Sequence, residues 1–441
     1  MHFKNKILSW EFIIIFSGRL LNGLLLLAAT RVYSSLLSDY EIGRLAIILS
    51  FLFLFTSLVL FPIGSFINQR ILSWLKNSLW QPYLATYFLS IFMMLFILAT
   101  PVLILGYYNI LIAIFYLLAL CINQTLIPII NIMLYRKMFV FITLSTSALY
   151  ILLSYIFISH LAPSAEYWLL GQSISNIIFG IIALFTLIYL TKSRFLFKLQ
   201  ISSFKNTKKL LNFAAPLIVT SLVSWSILNF YKISAGYVFG IEAIAVIALC
   251  SVLSNGIFGA IESATIQLYH ANYLQKLSIF NDLPNRKIAF EEFFANVMLI
   301  LTVALLILIL ISPQIISFAL DDRFHSYFWL LQLFFLVDYF RNFTHIISQF
   351  AYAEFKTSVL ISGNLVSVGI SILLVCVSFI SSYWVMLMPI SLTIAYMSNS
   401  YIQYRKLCNL YGDTHLLPFT KKNMIIIFFV LIFVYVVSNI L

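Results

Sequence analysis

Three basic residues lie where a membrane tolerates few charges. Arg19, Lys232 and Arg341 each fall inside a run of about 20 mostly apolar residues, where an ionised side chain costs a few kcal/mol unless it faces protein or water. A guanidinium can hold phosphate through two parallel N–H···O bonds, and an ammonium holds it as a point charge. Asn22 follows Arg19 by three residues and Asn229 precedes Lys232 by three, which gives each cation a polar neighbour on its own helical face. Arg341 belongs to the stretch Asp338-Tyr-Phe-Arg341-Asn-Phe-Thr-His345, whose spacings of three and four put Asp338, Arg341 and His345 on one face. A cavity lined by Arg19, Lys232, Arg341 and His345 attracts anions. Two other readings stay open: Arg341 and Asp338 as a self-neutralised structural pair, and Lys232 snorkelling to the outer headgroups. Glu262, toward the inner end of its run, suits proton coupling or the capping of an interior cation.

Other chemistry finds no carrier. The cysteines Cys121, Cys250, Cys376 and Cys408 lack the paired spacing of a metal or redox motif. A phosphate-binding P-loop, HExxH, a GxSxG elbow and a dinucleotide fingerprint are all absent, so neither enzyme activity nor a cofactor or metal is expected.

The elements that position these residues are membrane helices. The 441-residue chain is 63% hydrophobic and 9% charged, with a mean hydropathy of +1.04, against roughly a quarter charged residues in soluble domains. Apolar runs predict helices over 12–32, 45–67, 84–105, 110–133, 141–161, 168–190, 212–234, 243–268, 293–319, 327–352, 358–381, 383–404 and 422–441. The runs are apolar all round, which excludes a barrel of alternating strands. Lys4 and Lys6 ahead of the first run resemble a signal peptide, but the run is long and lacks a small-residue cleavage site, so a retained helix is expected.

Basic residues fix the expected orientation. With the N-terminus inside, 20 of the 26 fall in inner segments, only Arg31, Arg44 and Arg323 fall in outer ones, and the three within spans remain. The net charge of +12 is therefore a topogenic signal, not a nucleic-acid footprint. The stretch from Lys192 to Lys209 faces anionic headgroups and divides the chain. The predicted plan is an N-terminal lobe over 1–190, a basic cytoplasmic linker over 191–211, a C-terminal lobe over 212–404, and a loop with an additional helix over 405–441. A parallel repeat supports two lobes: Arg31 precedes Glu41 by ten residues, as Lys232 precedes Glu242, each at the end of a span.

The segment from Leu210 to Asn255 resembles the start of the second lobe in Wzx-type polysaccharide flippases of the multidrug/oligosaccharidyl-lipid/polysaccharide exporter superfamily. The resemblance is carried by the apolar entry Phe213 to Pro216, by Gly240-Ile241-Glu242-Ala243 opening the eighth span, and by Ser38-Asp39-Tyr40-Glu41-Ile42-Gly43 in the first outer loop. Where that family usually has Asp-Arg in the seventh helix, this chain has Tyr231-Lys232, keeping the cation and losing its acidic neighbour. The resemblance implies an all-α polytopic membrane protein of 12 to 14 helices in two six-helix lobes, a V-shaped, MATE-like transporter. It implies an undecaprenyl-pyrophosphate-linked oligosaccharide flipped from the cytoplasmic to the outer face of the bacterial inner membrane. Arg19, Lys232 and Arg341 would hold the diphosphate, with membrane lipids, a polysaccharide polymerase and chain-length proteins as partners. A cation-coupled small-molecule or drug antiporter of the same superfamily is the competing reading and would need an essential intramembrane acid, Glu262 or Asp338. A membrane polymerase or glycosyltransferase would need a long outer loop, which this pattern lacks.

Overall fold

The structure, a computed structural model, describes residues 10–76, 80–105, 110–192, 207–279, 282–353 and 358–411. Among the described residues the chain is helices and turns, with no strand. In order they are α1 (Trp10–Leu36), α2 (Asp39–Phe55), α3 (Phe61–Lys76), α4 (Trp80–Leu105), α5 (Ile110–Ile132), α6 (Arg136–His160), α7 (Ala165–Thr191), α8 (Thr207–Phe239), α9 (Ala245–Ile279), α10 (Leu283–Leu310), α11 (Ser312–Ala319), α12 (Phe328–Ala353), α13 (Ser358–Ser378) and α14 (Trp384–Tyr411). Of the first twelve expected runs, eleven each fall on one continuous helical segment and the ninth falls on α10 and α11. The thirteenth, 422–441, and 193–206 of the basic linker lie outside the described residues. Nine segments among the described residues are long and apolar enough to cross a bilayer. Exposed Leu111, Phe185, Leu299 and Leu373 side chains on their outer faces suit hydrocarbon, not water.

Proline explains two departures from plain helices. The expected second span is α2 and α3 joined through a π turn, Thr56–Leu60. Pro62 follows two residues later; its missing N–H and its ring prevent a regular i to i−4 bond there, and the turn widens. The expected ninth span does not run to residue 319, because Pro313 ends α10 and opens α11. The carbonyl of Ile309, which the N–H of the fourth residue on would have bonded had it not been Pro313, instead accepts from Ser312 Oγ at 2.8 Å and Gln332 Nε2 at 3.2 Å. Asp282 caps α10 and accepts from both the Asn285 side chain, at 2.8 Å, and its backbone N–H, at 3.3 Å. These bonds, the side-chain one foremost, hold its carboxyl below the usual range.

The chain forms two compact units, Met1–Ala245 and Val246–Leu441. In the first, α7 packs on α5 and α6, α1 packs on α6, and α8 packs on α2 and α3, so the seventh long helix is grouped with the first six. Small residues allow the close approaches that membrane helices rely on. Ser154 Oγ of α6 donates to the Trp168 carbonyl at 2.9 Å, Ser175 Oγ of α7 to the Thr146 carbonyl at 2.7 Å, and a Cβ on Gly171 would overlap Ser154. Gly171→Leu is expected to destabilise the protein by about 1–3 kcal/mol through overpacking; the melting temperature of the purified protein checks this, with exposed Leu152→Ala as a near-neutral comparison.

An ion-pair clamp fastens the starts of α2 and α7. Arg44 pairs with Glu41 at 3.4 Å and with Glu166, while the second oxygen of Glu41 accepts from the Ala165 backbone N–H at 2.7 Å. Arg44, an exception to the orientation count, is thus held by two acids, and Glu41 sits favourably at the N-terminus of α7. The two repeat-related stretches also meet. A Cβ on Gly43 would overlap the Ile241 carbonyl oxygen, which is the physical reason for glycine there. In the second unit, α14 packs on both α12 and α13, α10 packs on α12, and rings of Tyr273, Phe290, Phe293, Phe294, Phe343 and Phe350 fill the space between α9, α10 and α12.

Candidate functional site

The first unit positions Arg19, Asn22, Asn229 and Lys232. Arg19 lies nine residues into described α1, about 14 Å along the axis from Trp10. Its guanidinium carbon is 5.9 Å from the centre of the Phe139 ring on α6. Its Nε is buried, and among the described residues no protein group bonds that atom and no carboxylate pairs with the side chain. Close approach of α1 to α6 holds it there: a Cβ on Gly18 would press on Val140. One turn further along α1, Asn22 Oδ1 accepts from Ser147 Oγ at 2.7 Å. Arg19 and Asn22 thus form one polar strip against α6, as the three-residue spacing implies.

Lys232 and Asn229 lie on α8 instead. Asn229 is buried and its Nδ2 donates to the Trp225 carbonyl at 3.3 Å, while Trp225 Nε1 reaches the Ser50 carbonyl of α2 at 2.7 Å. Lys232 is half-buried with its ammonium 5.6 Å from the ring centre of buried Tyr231. Tyr231 therefore contributes an aromatic face beside the cation.

The second unit gathers the remaining four residues into two charge pairs. Arg341 meets Asp338 at 2.9 Å, one turn apart on α12, and Ser254 Oγ of α9 donates to the other Asp338 oxygen at 2.5 Å. His345 Nδ1 lies 2.6 Å from Glu262 Oε1 across the gap between α12 and α9. On the far side of the imidazole, Gln349 Nε2 is 3.0 Å from Nε2. Tyr396 of α14 and Glu262 both lie within electrostatic reach of Arg341. Residue type places Arg341 and His345 with the cations of an anion site. The structure sets a carboxylate against each.

Several partners were not singled out in the sequence. Asn342 is 1% exposed, and among the described residues neither of its amide atoms is bonded. It sits four residues after Asp338 and three before His345, on the same stripe, and that spacing was the available signal. Ser254, Ser147 and Phe139 come from distant helices, where periodicity gives no pointer.

Solved proteins show what builds such helices into one architecture. The lipid II flippase MurJ in an inward closed conformation superposes with a TM-score of 0.66 at 16% identity, covering 98% of this chain and 93% of its own. A multidrug resistance MATE family transporter of the MOP superfamily, inward-facing, gives 0.62 at 13% identity, covering 92% and 100%. The fold is that of the MATE transporters. A MOP superfamily transporter from Pyrococcus furiosus, whose reversed binding-pocket polarity suggests a different function, shares it at 0.58 and 15% identity, covering 90% and 96%. No protein-family model matches the sequence, and no curated protein does. With the MATE fold and nine bilayer-length segments among the described residues, the chain is a multi-pass membrane protein. MATE-fold neighbours include both drug transporters and a lipid flippase, so the fold leaves the choice of substrate to the side chains.

Proposed function

We propose that the protein is a flippase that moves an undecaprenyl-pyrophosphate-linked oligosaccharide from the cytoplasmic to the outer face of the bacterial inner membrane by alternating access. Arg19 carries the proposal. A guanidinium inside an expected span with no carboxylate partner among the described residues is a costly arrangement that an anionic substrate would relieve. Asn22 and Ser147 add neutral hydrogen-bonding groups of the kind that line a wet cavity. Lys232, half-buried beside Tyr231, would add a second positive charge, and Arg341 would exchange part of its bond with Asp338 for phosphate. The lipid tail stays in the bilayer while the headgroup crosses. A polymerase and chain-length proteins would receive the product outside, and the N-terminus would be cytoplasmic, as the basic residues indicate.

One observation favours a second reading, the cation-coupled drug antiporter: the second unit holds two carboxylates inside its helices, Asp338 and Glu262. A single comparison separates the two. In cells lacking the protein, the flippase reading expects lipid-linked oligosaccharide to accumulate on the cytoplasmic side and surface polysaccharide to disappear, both restored by the wild-type chain. Unchanged polysaccharide together with lost efflux of cationic amphiphiles would replace the flippase reading with the antiporter.

A further inference from the structure

The first unit contains a cavity lined by none of the cationic-site residues. Helices α4 and α7 both pack on α5, and between the three lies a space of about 400 Å³. Trp80, Leu84, Phe88 and Phe92, spaced by four, form its α4 wall. Leu118 and Ile122 of α5 and Ile181 of α7 face them. A glycine lets α7 close the floor: a Cβ on Gly180 would lie 2.5 Å from Ile122 Cγ2, so any larger residue there would push the two helices apart.

Water does not suit this lining. Besides the Trp80 indole, its polar side chains are Gln81 and the thiol of Cys121, and the rest is apolar. A buried water needs 2–4 polar partners, and an unfilled apolar space deprives the atoms around it of dispersion contacts on one side. The opening shows what lies outside. Leu89 of α4 and Ile181 of α7 belong to the lining and are 46% and 44% exposed, and α5 and α7 both contain segments long and apolar enough to cross a bilayer. The cavity therefore opens toward hydrocarbon.

Its length and its two unlike ends narrow the occupant further. From Trp80 to Phe92 the α4 wall runs about 18 Å, close to the thickness of one leaflet, which is half of a hydrocarbon core of about 30 Å. The Phe92 end is apolar. The Trp80 end carries Gln81, and the corner of α3 and α4 beside it holds Trp74 stacked on Tyr83 at 5.0 Å and on Tyr87 at 5.5 Å, with exposed Arg70 on α3. Tryptophan and tyrosine collect where the bilayer meets water, and basic residues there meet anionic headgroups. With the N-terminus inside, as the basic residues indicate, this is the cytoplasmic end.

We propose that the cavity holds one acyl chain of a glycerophospholipid from the cytoplasmic leaflet, its ester carbonyl at Trp80 and Gln81 and its terminal methyl toward Phe92. The indole and the amide both offer N–H donors, and an ester carbonyl accepts from either. A polyprenyl tail fits less well, because it is much longer than one leaflet and carries a methyl branch on every isoprene unit. The bound chain fills the space between α4, α5 and α7 and so makes one lipid molecule part of the packing of the first unit. This site does not depend on the flippase reading.

The test uses the full-length protein, purified in a mild detergent and weighed by native mass spectrometry. The wild type is expected to keep one diacyl phospholipid per chain. Ala85→Trp and Leu118→Trp, which fill the cavity from facing walls, should each lower that occupancy at least tenfold, whereas Val303→Phe, at an exposed position on α10, should leave it unchanged. In protein stripped of lipid, dipalmitoyl phosphatidylglycerol should raise the wild-type melting temperature by several degrees. Dihexanoyl phosphatidylglycerol, too short to fill the cavity, should not. Either filling variant suffices for the first comparison, and the wild-type melting series stands without them. Unchanged occupancy in a folded filling variant overturns the proposal, and so does a melting temperature that responds equally to both chain lengths or to neither. Displacement of the phospholipid by an equal amount of undecaprenyl phosphate would also overturn it, and would give the cavity to the polyprenyl tail instead.

Discussion

Asp338→Ala is expected to destabilise the second unit by about 3–5 kcal/mol, because it leaves the Arg341 guanidinium desolvated without its counter-ion. The side chains are 5% exposed at Asp338 and 19% at Arg341, and they meet at 2.9 Å, so water cannot replace the lost partner well. Ser254 Oγ loses its acceptor at the same time. The expected result is a sharp drop in the amount of protein in the membrane and in the melting temperature of what can be purified. Arg341→Met alone should be comparably damaging for the converse reason. The double variant Asp338→Asn, Arg341→Gln should recover most of the stability, since two neutral amides can bond each other and Ser254. Recovery of stability without recovery of transport would show that Arg341 does more than cancel Asp338. Failure of the double variant to recover stability would instead place the contribution in packing.

Arg19→Ala should spare the fold and abolish transport. Its guanidinium lies over the Phe139 ring and makes no ion pair among the described residues, so little native bonding is lost on truncation. What disappears is a set of charge-assisted bonds to phosphate, worth roughly 1.5–3 kcal/mol for each bond that forms. Loss of two such bonds corresponds to a fall in transport rate on the order of 100-fold or more. Arg19→Lys keeps the charge and loses the fork, so it should retain an intermediate rate. The readouts are surface polysaccharide and membrane-inserted protein from the same cells. Normal polysaccharide in Arg19→Ala would remove this residue from the substrate path.

Much of this could be read from local pattern. The twelve long segments follow from uninterrupted apolar runs, and the Asp338 and Arg341 pair follows from a spacing of three on a helix. Asn22 beside Arg19 follows from the same rule. What local pattern missed depends on contacts between helices. Glu262 was read as a capping acid or proton site without a named partner, and His345 as a cation; their bond joins positions 83 apart and has no periodic signature. Arg44 was counted as an outer basic residue, whereas it is gripped by Glu166, 122 residues away. The break at Pro313 was visible in the sequence but sat inside a run apolar enough to pass for one helix, and only the donors from Ser312 and Gln332 show how the freed Ile309 carbonyl is satisfied. Asn342 carries no charge, so a search for ionisable residues passed over it despite its place on the polar stripe.

The central claim is that the protein moves an anionic lipid-linked glycan across the bilayer. Flipping of a short-chain polyprenyl-pyrophosphate oligosaccharide in proteoliposomes, followed by its accessibility to an external glycosidase, tests this most directly. The account predicts fast exposure with the wild type, background exposure with Arg19→Ala, and background exposure of a matched glycolipid whose diphosphate is replaced by a neutral linker. Equal rates for the charged and neutral glycolipids, or no acceleration by the wild type over empty liposomes, would contradict it.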